Sequence, residues 1–257
     1  QPGEIAKIAL AIFFASYLVE KRDVLKEATW GARRRVFGPL LVAWGLTLVV
    51  MFFERDLGSS LLFFALFITM LWAVTGRAGY LAVGGGLFAV GAAIAYALFS
   101  HVQQRVRIWL DPWPYAENQA YQIVQAMFAF GTGGPAGTGL SLGSPNRIPA
   151  AATDFIFAAI GEELGLLGSA AIIGCYLLMV GAGLRIAIRA DRPFEQLLAT
   201  GLTAILGLQT FIILGGVTRL VPLTGITLPF VSYGGSSLIA NYVLLALLLR
   251  ISDDTAR

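Results

Sequence analysis

The sequence predicts an all-α polytopic membrane protein, a bundle of about seven transmembrane helices with one long extracytoplasmic loop that carries a short interfacial helix. Three observations predict it. Of 257 residues, 57% are hydrophobic and 13% charged, and the mean hydropathy is +0.77, more apolar side chain than one soluble domain of this length can bury. Runs without a charged residue cover 36–53, 57–76, 78–104, 164–184, 196–218 and 220–249, and a bilayer core needs about 20 such residues per helix. Lys and Arg are also spread unevenly about these runs, the pattern of a protein whose cytoplasmic loops retain basic residues.

The first helix, roughly 4–21, carries Glu4 and Lys7 near its start and is then apolar as far as Val19. The two charges stand at i and i+3 on one helix face, where they neutralise each other. Spans over 36–53 and 57–76 follow, the latter started or capped by Asp56, and then a span from 78. The run 220–249 is longer than one crossing needs. Pro222, Gly225, Pro229, Gly234 and Gly235 break it into an irregular loop, 219–231, and a last helix near 232–251. On alternate sides of these seven spans lie twelve basic residues (Lys21, Arg22, Lys26, Arg33, Arg34, Arg35, Arg77, Arg185, Arg189, Arg192, Arg250 and Arg257) against five (Arg55, Arg105, Arg107, Arg147 and Arg219). The hinge 20–35 and the C-terminus are therefore expected in the cytoplasm and segment 100–160 outside. The net charge of +3 reflects this bias and does not argue for nucleic acid.

Segment 100–160 is too long for a plain connection. Trp109, Trp113, Tyr115, Tyr121, Phe128 and Phe130 suit a membrane interface. Over 118–130, helical spacing puts Tyr121, Val124, Met127 and Phe128 on one face and Gln119, Gln122 and Gln125 away from it, which fits a helix lying on the outer surface or one packed on the bundle. The Gly-rich stretch 131–147 cannot be a regular helix. It reads as a flexible cover, with the alternative that its amides receive an anion, and it lacks the Gly-Lys-Ser ending of a phosphate-binding loop.

Asp154 is the candidate for chemistry, a lone acid before a long apolar helix. A carboxylate at the lip of a bundle can act as a general base, and a residue in that place can equally be a helix cap. Arg105 and Arg107 offer charge to an anion. Glu162 and Glu163 enter a span, where an acid costs about 2.5–3.5 kcal/mol and requires a partner or water; Lys7 or Arg219 is the expected partner of Glu163. Ser232 opens a run of small polar residues, 232–237, suited to close helix approach or to lining a lipid headgroup. His101 is the only histidine, which removes any His-based metal site or triad and leaves interfacial packing. No ligand cluster requires a metal, and a divalent cation bridging phosphate and acids stays open. Cys175 is the only cysteine, so no internal disulfide forms and a packed thiol is expected.

Several blocks carry a family resemblance. Gln1-Pro2-Gly3-Glu4 with Lys7 is similar to a QPSE-x-x-K helix start, Asp56-Leu57-Gly58-Ser59 to PDLGT, Arg105 to Trp113 to R-x(5)-DPW, and Tyr121-Gln122 through Gln125 to GYQ-x-x-Q. Thr153 to Gly165 and Pro229 to Ser237 match most closely. Together they resemble the C-terminal portion of the SEDS family (RodA, FtsW, SpoVE) of cell-wall glycosyltransferases, and the stretch around GGVTRLVPLTG resembles the actinobacterial RodA branch. Departures accompany the matches. Ala150, Ala151 and Ala152 supply neither the Glu nor the His that many members carry before the Thr-Asp pair, Ile213 replaces a common Asn, and Arg219 stands where Gly is usual.

The resemblance implies one membrane domain over 1–257, a fragment lacking N-terminal helices, as does the start at Gln1 without an initiator Met. It implies a cell-membrane enzyme of the elongation type that polymerises lipid II, an undecaprenyl-pyrophosphate-linked disaccharide-peptide, on the outer face. A class B penicillin-binding protein is the implied partner, and the bilayer its medium. Asp154 would be the base and Arg105 the group that neutralises the leaving pyrophosphate. Lys7, Glu4, Glu163, Arg219 and Ser232 would line the site. The alternatives are a flippase for lipid-linked precursors, whose charges should sit nearer the midplane, and a non-catalytic scaffold of the elongation or division complex.

Overall fold

The computed structural model describes residues 2–22, 45 and 57–256. Among them are eight α-helices and no strand: α1 (Pro2–Glu20), α2 (Leu57–Thr75), α3 (Gly79–Leu98), α4 (Ser100–Leu110), α5 (Tyr121–Gly133), α6 (Ile156–Arg189), α7 (Pro193–Val217) and α8 (Gly235–Ala256). All but α4 and α5 are long and apolar enough to cross a bilayer, and the protein is a multi-pass membrane protein. The expected span over 36–53 and Asp56 lie outside the described residues.

The chain divides into two compact units: Gln1–Phe88 with Met179–Leu208 and Gly235–Arg257, and Ala89–Leu178 with Gln209–Gly234. In the first, Ile8, Ala11, Phe14, Ala15 and Leu18 repeat along one face of α1 and join Leu66, Phe67, Met70, Leu71 and Val74 of α2 in a single apolar core. Leu198, Leu202 and Ile205 of α7 and Leu244 and Leu248 of α8 complete it. The Phe14 and Phe67 rings meet at 5.4 Å. A side chain at Gly201 would reach 3.0 Å from Met70 Cε, so the missing Cβ sets how near the helices come, as expected where van der Waals packing drives association in lipid.

The start of α1 buries one charge in this unit. Lys7 is 2% exposed, and its Nζ lies 2.6 Å from Glu4 Oε2. The expected i,i+3 neutralisation is present. Lys7 also donates to Asn241 Oδ1 of α8 at 3.4 Å, and Asn241 Nδ2 donates to Ser237 Oγ at 3.3 Å.

In the second unit, several expectations change. The charge-free run 78–104 is not one helix: α3 stops at Leu98, Phe99 is extended at φ −118°, and α4 begins afresh. Gln103, Gln104 and Arg105 cannot follow an apolar span into lipid, and Gln103 Nε2 instead donates back to Tyr96 O at 2.9 Å. Segment 100–160 thus holds two helices. The face of α5 is also rotated from the expected one. Ile123, Val124, Ala126 and Ala129 are buried, whereas Tyr121 and Phe128 are exposed, with Phe128 packed on the Trp113 ring.

The Gly-rich stretch is a fixed plug. Helix α6 breaks at Gly165 (φ 66°, ψ −163°), which frees carbonyls above the break and amides below it. Thr138 N and Gly139 N donate to Glu162 O and Glu163 O, each at 3.0 Å, and Leu166 N and Leu167 N donate to Gly134 O and Pro135 O at 2.9 and 3.2 Å. Ser144 N donates to Glu162 Oε1 at 3.0 Å, so the buried Glu162 has its partner in the loop. A Cβ at Gly137 would fall 2.1 Å from Glu163 O. Cys175 is exposed on α6, not packed.

Candidate active site

One hollow of about 280 Å³ in the second unit collects the polar groups that the sequence singled out around Asp154. Helix α4 contributes His101, Gln104, Arg105 and Trp109, the stretch entering α5 contributes Gln119 and Gln122, and the loop after α7 contributes Arg219, Leu223 and Gly225.

Asp154 is held by the backbone on both sides of it. Ile148 and Phe155 are buried anchors, and Ala150, at φ 59°, turns the chain so that Thr153 N and Phe155 N donate to Ala150 O at 3.1 and 3.2 Å. Helix α6 begins at Ile156, so Phe155 occupies the flanking position and Asp154 lies one residue further out. Ser232, 2% exposed, donates from Oγ to Thr153 O at 2.6 Å and accepts from Leu228 N at 2.8 Å. Tyr233 N donates to Ala152 O at 2.8 Å. Ser232 therefore acts behind Asp154, bonding the two segments, rather than as a lining group. On the open side, a Cβ at Gly225 (φ 78°) would sit 3.6 Å from Asp154 Oδ2, and its absence leaves room beside the carboxylate.

Both arginines donate to backbone carbonyls. Arg105 Nη1 donates to Leu223 O at 2.7 Å. Arg219 Nη2 donates to Trp109 O and Leu110 O at 2.8 and 3.3 Å, while Trp109 Nε1 returns a bond to Arg219 O at 3.0 Å. For Arg219, these carbonyls orient the guanidinium without cancelling its charge. The hollow thus faces a ligand with two guanidiniums and one carboxylate, among three carboxamides able to give and accept hydrogen bonds.

Of the expected residues, Asp154, Arg105 and Arg219 share this hollow. Arg107 does not line it. Glu163 lines a second hollow with Leu140, Asn146, Ala152 and Ile160, and Arg219 takes the partners above instead of Glu163. Lys7 and Glu4 belong to the first unit, in the cluster already described. His101 packs against Phe99 at 5.6 Å, as expected of an interfacial residue, and also reaches the hollow. Gln104, Gln119 and Trp109 were not anticipated here, because facing them together depends on the break at Phe99. Among the described residues, no three His, Cys, Asp or Glu side chains are grouped to hold a metal ion.

The profile of the family FTSW_RODA_SPOVE, described as cell cycle protein, matches residues 1–257. The chain is 49% identical over 263 residues to the peptidoglycan glycosyltransferase RodA of Mycobacterium tuberculosis strain H37Rv, a match covering all of this chain and 56% of that protein. It is 38% identical to the probable peptidoglycan glycosyltransferase FtsW of Geobacter metallireducens, covering 98% of this chain and 66% of the relative. It also resembles a chain in a structure described as "Structural coordination of polymerization and crosslinking by a peptidoglycan synthase complex", with TM-score 0.78 and 27% identity over 99% of this chain and 70% of the other. The chain spans just over half the length of its mycobacterial relative.

Proposed function

Since the chain belongs to the FTSW_RODA_SPOVE family of cell cycle proteins, we propose that the protein containing it polymerises lipid II into glycan strands. The observation that carries the proposal is the hollow in which Asp154 stands among Arg105, Arg219 and three carboxamides. A hydroxyl of the acceptor sugar attacks the anomeric carbon of the donor. Its proton passes to the Asp154 carboxylate, the bond from that carbon to pyrophosphate breaks, and the leaving group departs between the guanidiniums. Direct displacement inverts an α-linked donor into a β-linked product with no covalent intermediate, so one base suffices. Two arginines meet a leaving group of high negative charge at the place where that charge develops.

Ser232 enters this scheme as a positioning residue, holding the carbonyl next to Asp154. Glu163 belongs to it through the loop that its own carbonyl fixes, and Lys7 and Glu4 as a charge pair at the start of α1. The distribution of Lys and Arg supports an outward-facing segment 100–160 and a cytoplasmic C-terminus. The family match runs through both units, which supports one membrane domain over 1–257. The higher identity to a RodA than to an FtsW supports an elongation role, and likeness to a chain of a synthase complex supports a transpeptidase partner, a class B penicillin-binding protein. The test is glycan polymer formed from lipid II by the full-length protein with that partner. Polymer that vanishes with Asp154→Asn supports the assignment, and polymer unaffected by that change rejects the base.

A further inference from the structure

A third hollow, of about 300 Å³, lies in the first unit and plays no part in the proposed reaction. It forms where the ends of three spans and the beginning of a fourth converge: Val19 near the end of α1, Ala73 and Val74 of α2, Leu184, Ala187 and Ile188 of α6, and Pro193, Gln196 and Thr200 at the start of α7. Arg22, just beyond α1, completes it. The Arg22 side chain is half-buried, and its Nε is shut off from solvent with no hydrogen-bond partner among the described residues. A guanidinium nitrogen in that condition calls for an acceptor.

Among the described residues, the neighbouring acids are taken by other partners or lie exposed. Lys21 pairs with Glu20. Glu195, in the first turn of α7, pairs with Arg192 at 3.1 Å. Arg185 and Arg189 are exposed on α6 beside the hollow, and Asp191 is exposed in the turn that follows. The first turn of α7 adds amides that favour an anion. The walls are different in kind: Leu184 is 45% and Ile188 78% exposed, at the end of a helix that crosses the membrane. The site therefore pairs a cation at the membrane surface with an apolar strip running into the bilayer.

We propose that this hollow binds an anionic phospholipid, with its phosphate at Arg22 and Gln196 and an acyl chain along Leu184 and Ile188. Charge complementarity selects the headgroup. The residues around this end also belong to the basic side of the chain, and basic pockets between helix ends at the anionic cytoplasmic leaflet are suited to such lipids. The site is independent of glycan synthesis, so its failure would not touch the Asp154 assignment.

The test uses full-length protein extracted from vesicles of phosphatidylcholine and phosphatidylglycerol, with retained lipid counted by native mass spectrometry. Phosphatidylglycerol should be retained in preference to phosphatidylcholine, and Arg22→Gln should lower its retention about fivefold to tenfold. Gln196→Glu, which places an acid in the hollow at an exposed position, should do the same without removing Arg22. Arg185→Gln, on the same basic surface but outside the hollow, should leave most of the lipid bound. Equal losses for Arg185→Gln and Arg22→Gln would reduce the effect to diffuse surface charge and overturn the site. So would retention unchanged by Arg22→Gln, or displacement of the lipid by inorganic phosphate, which would make the hollow a site for a free anion.

Discussion

The two clusters of charge in this chain are built on opposite terms. In the first unit, Lys7 is 2% exposed and meets a carboxylate three residues away on its own helix, with the Asn241 amide beside it. In the second, Arg219 spends its hydrogen bonds on the carbonyls of Trp109 and Leu110 and reaches Met127 Sδ, none of which carries charge. A buried ammonium next to an acid is neutralised by the protein and ties α1 to α8. A guanidinium held by carbonyls is oriented but keeps its field, which is available to whatever enters the hollow. Burial alone does not mark a functional charge; the sign and identity of its partners do.

The comparison breaks most sharply at Asp154. Asp154→Asn keeps the shape of the side chain and removes the proposed base, and glycan polymer from the full-length protein with the proposed partner should fall at least about 100-fold. Thermal unfolding in detergent should barely change. At Lys7 the outcome should reverse. Lys7→Met leaves Glu4, 12% exposed, without its counter-charge and should cost about 3–5 kcal/mol of stability. Lys7→Met with Glu4→Gln should recover most of that loss. A double variant that is stable yet fails to polymerise lipid II would move the pair into the reaction, sharpening what the cluster does.

How much of this was legible in the sequence follows from which interactions are local. Spans were readable because each is a run of apolar residues, and the Glu4–Lys7 pair because i,i+3 neighbours meet on any helix. Asp154 was readable as a lone acid at the head of α6. The Gly-rich loop was not, because its partners are carbonyls and amides released by a break at Gly165, thirty residues or so from where the loop begins, and backbone groups leave no signature in side-chain pattern. Ser232 likewise reads as one more small residue until Thr153 O is seen 2.6 Å from its hydroxyl. The residues that α4 brings to the hollow were hidden by Phe99, whose extended conformation turns an apparent continuation of α3 into a separate helix.

That loop offers a smaller perturbation, intermediate between the two clusters. Gly137 has φ 82°, and a Cβ there would meet Glu163 O at 2.1 Å. Gly137→Ala should therefore combine a disfavoured backbone conformation with loss of the Gly139–Glu163 bond, costing about 2 kcal/mol. Limited proteolysis within 131–147 should accelerate, whereas Gly131→Ala, where nothing lies within 4 Å of the added carbon, should have little effect. Equal cleavage of both variants would show that the bonds to Glu162 O and Glu163 O are not what holds the loop.

The finest division is at Arg219, where backbone and side chain pull in different directions. Its φ of 62° lies in the left-handed region, which costs a residue with a Cβ about 1–2 kcal/mol. The guanidinium bonds to Trp109 O and Leu110 O offset this by a similar amount. Arg219→Gly relieves the first and removes the second, so unfolding should shift by no more than about 1 kcal/mol. Arg219→Gln, which keeps the strain, should be less stable than Arg219→Gly. If the guanidinium acts on the leaving pyrophosphate, both variants should polymerise lipid II about tenfold more slowly despite their different stabilities. Rates that instead follow stability would assign Arg219 to bracing Trp109 and leave Arg105 as the cation of the hollow.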